Sequence, residues 1–413
     1  MNKALALAGF SLPMLVAAVV MACFHLAGAA SAETTAQAPF AAKIAASPPL
    51  GLPPVPVPAG NPMSAEKVSL GEKLFNDKRF SSTGKVSCST CHDPAKAFTD
   101  TDGPLAVSKG VHGLTGTRNA PTVINAAYFQ TMFWDGRRPS LEAQSKDPML
   151  NPVEMGLPSH QPVLDLVRSD PDYAARFKAV FGLAGDAITM KEVSNAIGAF
   201  ERTVVAGNSP WDRFYFGGET DAISPAAKRG FEVFVKQGRC VSCHTISQTF
   251  ALFTDNKFHN LGIGFSRITN KVNVVVGEFL HAARDDRAVD QALLTNDDIS
   301  EIGRFAVTRQ MQDIGQFKTP TLRNVAATAP YMHNGSLKTL AQVVDFYNTT
   351  IPPDQNQNGE ANPFQSGGIR PLNLSDAQKA DLVAFLKTLT SPQFSAAAST
   401  SLAMQAVIDS KKP

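Results

Sequence analysis

Two pentads carry the most definite chemistry in this chain: Cys88-Ser89-Thr90-Cys91-His92 and Cys240-Val241-Ser242-Cys243-His244. Two thiols at this spacing can add to the two vinyl groups of a haem, and the imidazole that follows then becomes the proximal ligand of the iron. A C-x-x-C pair alone reads equally well as a redox dithiol or as half of a zinc site. Neither of those needs a histidine directly after the second cysteine, and both copies have one. The pentads therefore predict two covalently attached c-type haems. They use four of the five cysteines. The fifth, Cys23, lies in an apolar N-terminal stretch, so none is left for a disulfide.

That stretch reads as a leader. Lys3 supplies a positive start, Ala4 to Ala22 is almost wholly apolar, and Ala30-Ser31-Ala32 is a small-residue cleavage site. The expectation is a signal peptide over 1–32, cleavage after Ala32, a periplasmic chain and no membrane span afterwards. An uncleaved anchor helix and lipid attachment at Cys23 are the alternatives. Lys plus Arg is 38 against 36 Asp plus Glu, a net charge of +2. With no basic run interleaved with aromatics, this balance sets nucleic acid aside as a partner.

The 413 residues, 44% of them hydrophobic, suffice for two or three domains with real cores. Residues 33–62 are rich in Ala and Pro and read as an extended, solvated lead-in, with order beginning near Ser64 as an N-cap. An internal repeat follows. Leu70-Gly71-Glu72-Lys73-Leu74-Phe75 precedes the first pentad, and Arg229-Gly230-Phe231-Glu232-Val233-Phe234 precedes the second. Each half also closes on a capped apolar helix. Thr189 and Glu192 form a capping box before Val193-Ile197-Phe200, and Ser375 and Gln378 form another before Leu382-Phe385-Leu386-Leu389. The plan is mainly α: two cytochrome c-like helical haem domains with long loops, at 63–222 and 223–392, then a loosely held Ser/Ala-rich tail at 393–413.

A haem with a sixth protein ligand transfers electrons, whereas one with an open position does chemistry. Spacing does not decide between these. The motifs Arg118-Asn119-Ala120-Pro121-Thr122, Phe133-Trp134-Asp135-Gly136-Arg137, Asn151-Pro152-Val153-Glu154-Met155 and Phe317-Lys318-Thr319-Pro320-Thr321-Leu322-Arg323-Asn324-Val325, continuing through Tyr331-Met332-His333-Asn334-Gly335, resemble the bacterial di-haem cytochrome c peroxidase family, which includes MauG. The resemblance covers about residues 63–392. It implies that the N-terminal haem, on Cys88, Cys91 and His92, is the peroxidatic one. Gln144 and Glu154 match the family's distal polar pair, and Trp134 matches the tryptophan between the haems. Outside that context, Glu154 and Gln144 would only solvate a loop and Trp134 would be core packing.

The second haem would use Cys240, Cys243 and His244. Conventional members supply its sixth ligand from a methionine fourteen residues after the motif histidine, here His333; position 347 is instead Tyr347, the MauG pattern. A phenolate stabilises oxidised iron and lowers the potential, and a thioether does the opposite. Met311 and Met332 are the alternative sulfur ligands, read as core or loop residues. The resemblance further implies one calcium ion at Asn119, Thr328 and Pro330, where carbonyl and hydroxyl oxygens suit a hard cation. His112 lies near the family's resting distal histidine but off its spacing, so an exposed loop position is its default. His259 borders a haem propionate on this reading, and His160 and His281 are surface residues.

The implied activity is a peroxide-using oxidoreductase that draws electrons through the C-terminal haem, either from an exported protein substrate or from a small cytochrome or cupredoxin. A non-enzymatic di-haem carrier is the third class, disfavoured by Glu154 and Gln144.

Overall fold

The computed structural model describes residues 48–100, 106–349 and 362–401. The expected leader with Cys23, residues 33–47 of the lead-in and the tail beyond 401 lie outside them. No helix among the described residues is long and apolar enough to cross a membrane.

The chain is helical with long loops. The helices that matter for the site are α1 (Ala65–Asn76), α2 (Cys88–Cys91), α3 (Leu141–Gln144), α4 (Met190–Glu201), α5 (Pro225–Val235), α6 (Val272–Ala282), α7 (Leu340–Thr349) and α8 (Asp376–Lys387). One two-stranded antiparallel ribbon pairs β1 (Phe258–His259) with β2 (Phe317–Lys318), Phe258 opposite Lys318.

The expected N-cap at Ser64 accepts from Lys67 N, and the capping boxes at Thr189/Glu192 and Ser375/Gln378 both form. These caps satisfy amide groups that a helix start would otherwise leave orphaned. Opening and closing helices then cross in each half. A Cβ on Gly71 of α1 would overlap the Ala196 carbonyl of α4, and one on Gly230 of α5 would overlap the Asp381 carbonyl of α8. Phe200 and Phe385 lie beside the two crossings, against Phe75 and Phe234 respectively. The repeated glycine thus sets the distance of closest approach between backbones. Gly71→Ala should cost about 1–3 kcal/mol through overpacking, read as a fall in thermal midpoint. Gly277, mid-helix with nothing within 4 Å of its added Cβ, is the control. There alanine should stabilise by up to about 1 kcal/mol.

A single hydrophobic cluster runs from Leu70 through Ala398 and so joins both halves, while a smaller one forms around α6 and Phe305. The lead-in departs from the solvated reading. Leu52 and Val55 are buried against Tyr128, whose hydroxyl donates to the Pro53 carbonyl at 2.9 Å, and Met63 is fully buried. Arg323 makes a bidentate buried pair with Asp212, both contacts 2.9 Å, and donates to the Gly51 carbonyl at 2.6 Å. Order therefore begins before Ser64. Proline lowers the entropy cost of fixing a chain, so a Pro-rich segment with a few apolar anchors can be held firmly. The tail differs as well: Phe394 meets Phe98 edge-on at 6.4 Å and Ala398 is buried.

Candidate active site

Each pentad is shaped locally. Ser87 and Thr90 form a capping box on α2, which turns Cys88 and Cys91 to one side. The second pentad starts from Arg239 in the left-handed region and makes a tight turn over Cys240–Ser242. His92 Nδ1 lies 3.3 Å from the Phe98 carbonyl and His244 Nδ1 lies 2.9 Å from the Phe253 carbonyl. A carbonyl on Nδ1 fixes the tautomer that leaves Nε2 free for a metal. Burial lowers the pKa of both rings, which favours the neutral ligand form. Burial also raises both leading thiols, Cys240 to about 12. None of the four pentad cysteines is in a disulfide.

A continuous cavity of about 730 Å³ is lined by the four cysteines and both histidines. Paired thiols, oriented imidazoles and walls such as Phe75, Val123, Leu141 and Leu386 fit two haems. Replacing Cys240 and Cys243 together by alanine should leave one haem per chain, measured by mass and haem absorbance. Two retained haems would contradict attachment at this pentad.

Gln144, Glu154, Trp134 and Tyr347 line the same cavity, as do Asn119, Thr328 and Pro330. Glu154 sits on a loop whose carbonyl accepts from Val111 N at 2.8 Å, and a Cβ on Gly110 would overlap that backbone. Its pKa is pushed up to about 7 by burial, with Arg137 opposing and Asp290 and Asp147 adding. Behind it lies a buried ion network. Asp135 pairs with Arg118 at 2.5 Å and with Arg137 at 3.1 Å, and Arg137 also pairs with Asp290. Asp147 is pushed up to about 6 by burial and by Asp290.

Trp134 Nε1 donates to the Asn119 carbonyl at 2.8 Å. Around it the two halves interlock by an exchange of main-chain bonds: Lys318 N donates to the Trp134 carbonyl and Asn119 N to the His333 carbonyl, both at 2.7 Å. The exchange reflects a second repeat. Asn125 and Asn324 both adopt left-handed φ, as do Phe133 and Met332, and the bridges Met132–Arg138 and Tyr331–Leu337 correspond. Asn119 thus corresponds to Lys318, and Trp134 to His333. The His333 ring stacks on Phe317 at 3.6 Å, and its Nε2 meets Glu301 at 3.0 Å.

Tyr347 lies on α7. Burial, then the Cys240 and Cys243 sulfurs, hold its hydroxyl well above the usual phenol range. It can ionise there only beside a cation. Met311 is 45% exposed, unsuited to ligating from the interior, and Met332 lines the cavity in its left-handed turn. His112 is exposed and absent from the cavity walls. His259 lines the cavity and bonds Asp255 at 2.9 Å; hydrogen bonding to Cys243 and to Asp255 raises it to about 9 against burial. His160 is half-buried, with Nε2 on the Lys146 carbonyl, and His281 is exposed. Asn119 Nδ2 donates to the Ala106 carbonyl at 3.0 Å and Thr328 Oγ1 to the Val325 carbonyl at 3.3 Å, which leaves their oxygens' remaining lone pairs as candidate cation ligands.

Two cavity residues were not apparent from sequence. Glu201 is buried, its Oε2 has no hydrogen-bond partner, and burial pushes it to about 8. It sits at the end of an apolar helix, where a carboxyl reads as the solvated edge. Lys318 hides in a motif that resemblance had already explained.

Residues 65–221 match the family described as Di-haem cytochrome c peroxidase. The chain is 37% identical over 386 residues to the cytochrome-c peroxidase IdrP1 of Denitromonas iodatirespirans, which covers 89% of this chain and 92% of that protein. It is 35% identical to the methylamine utilization protein MauG of Methylorubrum extorquens, over 81% of each. The crystal structure of a MauG-like protein associated with microbial copper homeostasis is similar with a TM-score of 0.65 at 32% identity, covering 84% of this chain and 97% of that one.

Proposed function

Since this chain belongs to the di-haem cytochrome c peroxidase family and is an oxidoreductase with two c-type haems, we propose that it uses hydrogen peroxide at the N-terminal haem and oxidises an exported protein partner in the periplasm. When bound, the two haems supply the one-electron chemistry that carries peroxide, with two electrons and two protons, to two waters. The polypeptide supplies the proton handling and the electron path. Glu154 would accept a proton from peroxide and return it to the leaving oxygen, and Gln144 would orient the peroxide. Trp134, held at its indole N–H by Asn119 and at its carbonyl by Lys318, is the relay between the halves.

Tyr347 carries the choice of partner. It lines the cavity, is half-buried and lies within electrostatic reach of both thiols of the C-terminal pentad. As a phenolate ligand it would lower the potential of the C-terminal haem and make it a poor acceptor from high-potential carriers. Asn119, Thr328 and Pro330 would hold one calcium ion beside the relay. The relatives named cytochrome-c peroxidase favour a second reading, peroxide detoxification with a small cytochrome or cupredoxin as donor. Steady-state turnover of reduced cytochrome c with peroxide separates the two. The first expects slow turnover, and rates on the order of 10 per second or more, ordinary for enzymes, would make the second reading the better one.

A further inference from the structure

Lys318 is only 8% exposed, yet it has no acidic partner. Its ammonium donates to one acceptor, the Thr131 carbonyl at 2.6 Å, and lies 4.4 Å from the Phe129 ring centroid. An ammonium has three donors and needs a counter-charge when buried. The nearby carboxylate, Asp135, is engaged on both oxygens by Arg118 and Arg137. The other cations of the cavity wall are placed differently: Arg118 and Arg137 are paired with acids, as is His259 with Asp255, Arg239 bonds the Gly368 carbonyl, and Arg370 is exposed. Among the described residues, Lys318 is the one buried cation lining the cavity without an acid.

We propose that Lys318 is the counter-cation of a propionate carboxylate of a haem held in this cavity. The cavity reaches from one pentad to the other, so a c-type haem in it brings two carboxylates into a largely apolar space. Without that carboxylate, burial drives the lysine pKa down to about 7, only partly offset by Asp135. With it, the ammonium is paired and remains charged. The repeat gives the position meaning. Lys318 occupies in the C-terminal half the place that Asn119 occupies in the N-terminal half, and its main chain holds the Trp134 carbonyl. Replacing the side chain leaves that main-chain bond available, so the charge can be removed without cutting the support of Trp134.

The inference rests on the di-haem reading, and haem stoichiometry measured first separates failure of that reading from failure of this one. K318M and K318R carrying two haems would be titrated by spectroelectrochemistry. A cation beside a haem favours its reduced form. K318M should therefore lower the potential of one haem by roughly tenfold in the reduction equilibrium, about 59 mV for one electron. K318R should stay near wild type. Both potentials unchanged in K318M, or K318R falling as far as K318M, would overturn the proposal. If K318M does not yield soluble protein, K318Q against K318R is judged by the same two criteria.

Discussion

Replacing Glu154 by glutamine should slow the reaction with peroxide by roughly 10²–10⁴-fold, the range expected when a positioned acid–base group is removed. Glutamine keeps the shape and loses the proton site. The sign of the pH dependence follows from the role. To accept a proton, Glu154 must be ionised, and burial has moved its pKa up to about 7. In the wild type the rate of peroxide activation should rise with pH through neutrality and level off above it; in Glu154→Gln the profile should be flat across that window. Stopped-flow absorbance of the haem bands reads both. A loss of less than a few-fold would return Glu154 to a loop residue that merely lines the wall.

The second large effect is expected at Tyr347. Its hydroxyl is held protonated chiefly by burial, so ionisation there requires a cation in place of the proton. If Tyr347 is the ligand proposed above, Tyr347→Met would replace an anionic oxygen donor by a thioether and raise the potential of the C-terminal haem. The variant should gain turnover with reduced cytochrome c and lose oxidation of the native protein partner. No gain in cytochrome c turnover, with the low-spin centre retained, would separate partner choice from this ligand position.

What could be read from sequence was what short covalent spacing determines. Cys88 to His92 and Cys240 to His244 specify attachment within five residues, and Thr189/Glu192 and Ser375/Gln378 cap their helices within four. The repeat of Leu70–Phe75 in Arg229–Phe234 located the opening helices, although only the structure reveals why Gly71 and Gly230 are needed there. Features that depend on distant partners were not legible. The hold of Arg323 on Gly51 joins positions far apart in the chain, and composition alone gave Pro48 to Pro62 to the solvent. The exchange between Asn119 and His333 and between Lys318 and Trp134 likewise joins positions far apart in the chain and is visible only once it is folded. Glu201 and Lys318 escaped because each side chain's meaning lies in the partner it lacks.

Electron paramagnetic resonance of the ferric protein beside its Tyr347→Phe variant tests most directly what Tyr347 does. The expected result is one high-spin or weakly ligated centre and one low-spin centre in the wild type, with the low-spin signal lost in the variant while both haems stay attached. A low-spin signal identical in the two proteins would contradict tyrosine ligation and, with it, the proposed division of labour between the haems.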